Sequence, residues 1–390
     1  MRKLAAGVAS LCLAGMTPSA SSADFIEQFL DKKDGYLDAS NWLLNNAYGF
    51  LPVPVVISEP AIGYGLGFAP VFFHEAEKDK QARLEREATG EERQEGDFLT
   101  PRVSLGAFIA TENGTKIGGG GHYGSYADDK YRYMGGLFLV DINTTFYDPT
   151  DQAWKFNIKG GFMLHQFLYR LADTKWFVGA NHTLMSNDLK FNLGLGIPGL
   201  DDNIQDRFTT SGLGVIAKYD NVDNLFGPTL GLDAQAEYKW YNKSIGSDFN
   251  YSKFRFRSFY YKPLNETLYA GVRLDYRRAD GSPPFWELPY IELPGIPALR
   301  YQGDSAAMGE GYLRWQFHSR YSLVAFGGVG RAFANGDAAS VNQSQKARFA
   351  GGLGFRYNLA RKLGIHSGID VARGPEETVV YIKMGTGWQL

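Results

Sequence analysis

Cysteine is all but absent: the 390 residues contain one, Cys12, close to the N-terminus. A chain cleaved beyond it has no disulfide, no thiolate metal site and no cysteine nucleophile. No run of about 18 apolar residues occurs, which excludes a membrane-spanning helix. An excess of one charge is lacking too, with 40 basic residues against 42 acidic ones. That balance removes the electrostatic case for nucleic-acid binding. Histidine is scarce and dispersed, at positions 74, 122, 165, 182, 318 and 366. None of these has metal-ligand spacing, so neither a metal nor a cofactor is expected. A barrel-borne lipid hydrolase needs a serine and a histidine on paired strands. Ser258 and His318 fall on the tenth and twelfth strands read below, which do not pair, and Ser322 sits too near a turn. No enzyme is expected.

Glycine (47 residues) and aromatic residues (15%) are abundant. Arg2 and Lys3 begin the chain, Leu4 to Gly15 is a short apolar stretch, and Ser21-Ser22-Ala23 supplies small residues. Residues 1–23 therefore read as a secretory signal cleaved after Ala23. Leu11, before Cys12, argues against a lipoprotein acceptor site. Without Arg2 and Lys3 the charge balance becomes 38 basic to 42 acidic, net −4. Residues 24–51 read as a short lead or plug, with Phe25, Ile26, Phe29 and Leu30 at helical spacing. The dense charges of 75–98 read as a solvated loop or short exposed helix.

From residue 52 to 390 the chain alternates. In 378–390, Val380, Ile382, Met384 and Trp388 share one face, while Tyr381, Lys383, Gly385 and Gln389 share the other. In 231–241, Leu232, Ala234, Ala236, Tyr238 and Trp240 oppose Asp233, Gln235, Glu237 and Lys239. Leu313, Trp315 and Phe317 likewise oppose Glu310, Tyr312, Arg314, Gln316 and His318. One greasy and one wet face on long strands suits a sheet between lipid and a hydrated lumen. Sixteen strands are expected, the first at 61–74 and the last at 378–390, with 174–185 and 188–196 as two of them. Connections after even-numbered strands are mostly short, and several after odd-numbered ones are long (75–98, 197–206, 243–251, 279–308, 334–344). The fold class read here is all-β: a 16-stranded antiparallel transmembrane β-barrel with a short N-terminal periplasmic segment.

Three stretches carry a family resemblance. The first is Asp220-Asn221-Val222-Asp223 followed by Pro228-Thr229 and Gly231, where Asp and Asn cap a turn and Pro228 sets φ. It resembles the periplasmic turn motif of the BamA/TamA (bacterial surface antigen) outer-membrane family. The second, Arg300-Tyr301-Gln302-Gly303, is similar to that family's arginine–glycine–aromatic loop motif, with two residues interposed. The resemblance implies a loop folded into the lumen and docked through Arg300. The aspartate that the family carries near Gly328 is absent, so Glu310 is the expected partner. The third, Lys383-x-Gly385-x-x-Trp388-x-Leu390, resembles the C-terminal signal read by outer-membrane assembly machinery.

The resemblance covers residues 52–390 and leaves no room for a POTRA domain, so a bare-barrel member in the bacterial outer membrane is implied. It further implies a seam between first and last strands that opens to template an incoming strand. Gly63, Gly65 and Gly67 against Gly385 and Gly387 are the expected weak contacts there. Expected partners are outer-membrane lipid, the assembly machinery, and protein clients or a separate periplasmic partner. The function expected is insertion or translocation of protein or lipid. The alternatives are a passive channel or structural barrel and, behind these, a lipid hydrolase. Lys253, Arg255, Arg257, Arg273, Asp275, Arg277, Asp233, Glu237 and Lys239 read as a self-neutralising lumen network or the lining of a solute path.

Overall fold

The structure is a computed structural model. It describes residues 29–31, 34–40, 50–74, 81, 85, 88–89, 102–147, 152–192, 205–224, 227–334 and 346–385. The strands are β1 (Phe50–Glu59), β2 (Gly63–His74), β3 (Arg102–Thr111), β4 (Lys116–Tyr126), β5 (Tyr131–Tyr147), β6 (Ala153–Arg170), β7 (Trp176–Asn192) and β8 (Gln205–Asp220). They continue as β9 (Gly231–Tyr241), β10 (Tyr251–Pro263), β11 (Leu268–Gly281), β12 (Ser305–Gln316), β13 (Tyr321–Phe333), β14 (Arg348–Ala360), β15 (Ile365–Arg373) and β16 (Thr378–Gly385). Each strand is hydrogen-bonded to the next, all antiparallel in one sheet. The sheet curls until β16 lies beside β1. It is the expected all-β barrel of sixteen strands. Among the described residues no helix is long and apolar enough to cross a membrane.

The period-2 alternation sorts side chains outward and inward. Leu66 (71%), Leu139 (65%), Phe349 (71%) and Leu353 (68%) stand exposed on the outer wall, where a soluble protein would not leave them. Their strand neighbours point inward and are buried, as Ala350, Arg356 and Asp370 show. Val380 and Ile382 face out and Tyr381 faces in, as the terminal alternation requires.

Two strand expectations are corrected, and their errors cancel in the count. The first strand is Phe50–Glu59 rather than 61–74. Pro52 and Pro54 disguise it, because proline reads as a strand breaker, yet an edge strand tolerates it. Residues 174–185 and 188–196 are not two strands; Trp176–Asn192 runs unbroken. Ser186-Asn187 looks like a turn, but Gly161 and Gly160 pair with these residues from β6 and Thr209 and Phe208 from β8.

The shift moves the 75–98 segment. It follows β2, so it leaves from the end that carries both chain termini, among otherwise short turns. Gln81, Glu85, Ala88 and Thr89 are helical there. The longer connections β7–β8, β9–β10, β11–β12 and β13–β14 lie at the opposite end.

Candidate functional site: the seam and the loop that straps it

The β1–β2 register fixes where the edge of the sheet lies. Pro52 stands opposite Pro70. Two residues without N–H groups can face each other only where neither would donate across the pair. The even-numbered amides of β1 therefore point away from β2, toward β16. Pro52 and Pro54 remove two donors from that edge. Among the described residues β1 and β16 are neighbours without a shared ladder.

The β11–β12 connection folds inward over this seam. Ile291, Leu293, Ile296 and Tyr301 pack on Ala306, Met308, Ala332 and Ala350 of the wall. Ile291 is fully buried. Each such aliphatic chain stabilises the docked loop by about 1.5–3 kcal/mol. Between them Glu292 points to the wall arginines. It pairs with Arg277, lies 3.8 Å from Arg273 and 3.9 Å from Arg255. Asp275, fully buried among the same arginines, receives Arg255 at 2.7 Å and Arg277 at 2.9 Å. Lys253 reaches Glu287 of the loop at 2.7 Å. Acids on the loop thus meet bases on the wall.

Further along, the loop touches both seam strands. Gly295 N–H donates to Tyr381 Oη of β16 at 2.9 Å, and Ala298 N–H donates to Glu59 Oε1 of β1 at 3.4 Å. Arg300 Nε lies 3.8 Å from Glu376, in the β15–β16 turn. Gly295 has φ +85° and its backbone abuts Gly374, so a side chain at either glycine would collide. The loop is a strap laid across the inside of the seam.

At the terminal end, the lead docks on Arg320 in the β12–β13 turn. Arg320 has a fully buried side chain and is held at 2.6 Å by each of Asp31, Asp34 and Asp38. Arg361 adds a contact to Asp31 at 2.7 Å. Tyr36 packs edge-on against His318 and Tyr321. Burial alone would lower the Arg320 value, but the carboxylates of Asp34 and Asp38 outweigh it and hold it above its ordinary range. The hydrogen bond from Arg320 holds the Asp34 carboxyl below its usual 3.8. A depressed folded-state value means that the contact contributes fully above pH 3.8 and fades as pH falls through the lowered value. Arg320→Ala leaves three carboxylates facing one another and is expected to cost docking about 3–5 kcal/mol. Limited proteolysis of the lead at neutral pH checks this: rapid cleavage in the variant and slow cleavage in the parent is the expected pair of results.

No family model matches the sequence, and no curated protein is significantly similar to it. Solved structures are similar in shape. BamA from Haemophilus ducreyi lacking POTRA domains 1–3 superposes with a TM-score of 0.53 at 10% identity, covering 94% of this chain and 82% of that one. The fold is that of the BamA barrel. CdiB from Escherichia coli matches with a TM-score of 0.52 at 10% identity over 86% of this chain, which spans 62% of CdiB.

Within this BamA-type barrel the residues singled out from sequence are placed as follows. The expected Arg300–Glu310 pair is not formed. Arg300 lies over the Tyr147 ring at 4.1 Å, while Glu310 faces Arg273 at 3.5 Å. The interposed residues are used instead: Tyr301 is buried beneath Arg300 and Arg348 of the wall strand β14, and Gln302 Nε2 ties the loop to itself by donating to the Phe285 carbonyl at 2.7 Å. Gly303 lies against the Phe333 backbone. The loop carries the acid and the wall the bases, so the docking polarity expected from the resemblance is reversed.

Gly63, Gly65 and Gly67 belong to β2, where Gly65 and Gly67 pair with Thr111 and Ile109 of β3, and so lie off the seam. Gly385 ends β16 opposite His366. Gly387, Trp388 and Leu390 lie outside the described residues. Lys383 points inward, its amine 4.9 Å from the Tyr381 ring centre.

In the β8–β9 turn, Asp223 accepts from Thr229 N at 2.8 Å, from Thr229 Oγ1 at 2.6 Å and from Leu230 N at 3.1 Å. Gly231 has φ +115°, which the turn's return into β9 requires. Asp220 accepts from Arg132 at 2.5 Å. Pro228 lines a small lumen cavity with Tyr261, Tyr312, Arg314 and His366.

Of the lumen charges, Lys239 meets Glu237 at 2.8 Å and Asp233 meets Lys218 at 3.0 Å. Arg257 lies over the Phe259 ring. Sequence reasoning missed Glu292, Glu59, Tyr381, Glu376 and the Arg320 clamp. The only local signal was the Pro52/Pro54 pair.

Proposed function

We propose that this chain is a bacterial outer-membrane barrel that assists the insertion or translocation of protein or lipid through its β1–β16 seam. The observation that carries the reading is the unladdered edge: two prolines face β16, and an internal strap spans the gap. The prolines blunt the β1 edge, so the β16 edge that faces it keeps N–H and C=O groups that can template an incoming strand. In lipid each unsatisfied backbone group costs several kcal/mol, so an open edge favours capture of a partner strand. The strap supplies the counterweight, because its contacts to Glu59 and Tyr381 hold the two strands side by side until it moves. The likeness to the BamA barrel and the turn motif around Asp220–Gly231 support the same reading. The lead, clamped at the terminal end, is a periplasmic plug in this reading.

The test is a crosslink. Inward-facing Val55 or Ile57 on β1 is paired as cysteine with Val379 on β16, in a mature chain free of other cysteines. Oxidation is expected to stop client assembly in cells while leaving the barrel folded, and reduction is expected to restore it. Full activity of the oxidised protein would end the seam reading.

A further inference from the structure

Four of the six histidines lie on the outer wall, among side chains that face hydrocarbon. Leu66, Phe108, Leu137 and Phe167 fix the outward faces of β2, β3, β5 and β6 by their exposure. His74 shares the face of Leu66, Ser104 that of Phe108, and Tyr133 that of Leu137. The register carries the same face onto His122, which stands opposite Ser104. Ionisable residues at such positions call for a functional reason.

These groups form a connected row. Ser104 Oγ lies 2.8 Å from His74 Nε2 and 2.8 Å from His122 Nδ1. His122 Nε2 lies 2.8 Å from Tyr126 Oη. Tyr133, whose ring centre lies 6.3 Å from that of His122, has its Oη 2.7 Å from His165 Nδ1 in a separate pair. Arg102 stands directly opposite His74, and its guanidinium sits 4.5 Å from the Tyr126 ring centre. One direction of bonding satisfies the whole chain: Tyr126 donates to His122, His122 to Ser104, and Ser104 to His74. His74 Nδ1–H is then left as a donor beside the guanidinium of Arg102.

The depth of this pair is marked by aromatic residues. Tyr126, Tyr131, Tyr169, Trp176 and Tyr219 ring the terminal end of the outer wall, with the Lys130 amine 5.8 Å from two of them. Such a girdle sits at head-group level. Arg102 has no carboxylate partner among the described residues. No outward-facing residue of β2, β3 or β4 is acidic. A cation and an aligned N–H at head-group depth, on strands whose outward faces carry no acid, fit a phosphate.

We propose that Arg102 and His74, aligned by Ser104, His122 and Tyr126, bind the phosphate of an anionic diacyl phospholipid against the outer wall. The proposal rests on the bilayer reading above and not on seam activity. Its failure and that of the seam reading are therefore separable: crosslinking the seam leaves this site untouched.

The test is native mass spectrometry of the purified barrel in detergent, with added phosphatidylglycerol, phosphatidylcholine of the same acyl chains, or inorganic phosphate. The parent is expected to retain phosphatidylglycerol about tenfold over phosphatidylcholine, in line with one charge-assisted contact. R102Q and H74Q are each expected to remove the preference, and S104A to weaken it. H366Q, in the lumen, is expected to keep it. Heat-modifiable gel mobility confirms that each variant is folded, and S104A changes no charge, so it reports even if R102Q fails to fold. Four results would overturn the proposal. They are equal retention of both lipids, phosphate binding as tight as the lipid, a second protein occupying this wall, and release of fatty acid that S104A abolishes.

Discussion

Replacing Ile291 with aspartate is expected to eject the β11–β12 strap and turn a plugged barrel into a conducting one. Ile291 is fully buried against Ala306, Met308 and Ala332. An unpaired carboxylate there costs more than about 4 kcal/mol, by burying a charge and by emptying an apolar site. Ile291 itself takes no part in the strand ladders behind it, so the barrel itself survives. The expected readouts are a steady conductance in planar bilayers, absent from the parent, and new protease cleavage within 285–303. Arg300→Ala sets the scale. Its ring contacts are worth about 0.5–1 kcal/mol each and its ion pair with Glu376 is long, so a much smaller change is expected. If Arg300→Ala opened the pore and Ile291→Asp did not, the account of what holds the strap would be inverted.

Restoring the two missing amides is expected to zip the seam. Pro52→Thr with Pro54→Thr returns donors that point at β16, in a strand whose β-propensity already favours pairing. Each new bond is worth about 0.5–1.5 kcal/mol in a solvated setting and more where lipid excludes water. The double variant is expected to resist heat denaturation by roughly 1–5 °C, on a shift of about 1–2 °C per kcal/mol for a chain of this size. It is also expected to lose most of the assembly activity proposed above when assayed in cells. Position 54 is exposed, away from the strap. An unchanged melting temperature with unchanged activity would show that something other than the prolines keeps the edge unpaired.

Much of the barrel was legible because alternation is local. The inward Asp233, Glu237 and Lys239 and the outward Trp240 follow from a period of two, whatever the strand pairs with. The strand count came through two errors. Pro52 and Pro54 hid β1, because a breaker inside a sheet is harmless at an edge and only the closed barrel shows which strand is the edge. Ser186-Asn187 split β7, because turn-like residues also sit in strands when neighbours on both sides supply the ladder. The glycines at 63, 65 and 67 were assigned to the seam only because β1 was missing. Arg300 was given Glu310 by a resemblance whose partner residue is absent here. The chain instead gathers Arg255, Arg273 and Arg277 around Asp275 and Glu292. The histidine row was invisible for a related reason: His74, Ser104, His122 and Tyr133 lie on four strands and meet only through register.

What the amino-acid order determined alone was the class of object. It set the greasy and wet faces, the long strands and the turn chemistry of Asp223 and Gly231. These depend on residues one to seven positions apart, where backbone geometry leaves little choice. The tertiary structure decided where the sheet stops pairing, which acids the wall arginines hold, that Glu59 and Tyr381 share one strap, and that three aspartates enclose Arg320. Those contacts join residues tens to hundreds of positions apart, and nothing local selects among the charged partners that a closed cylinder brings within reach.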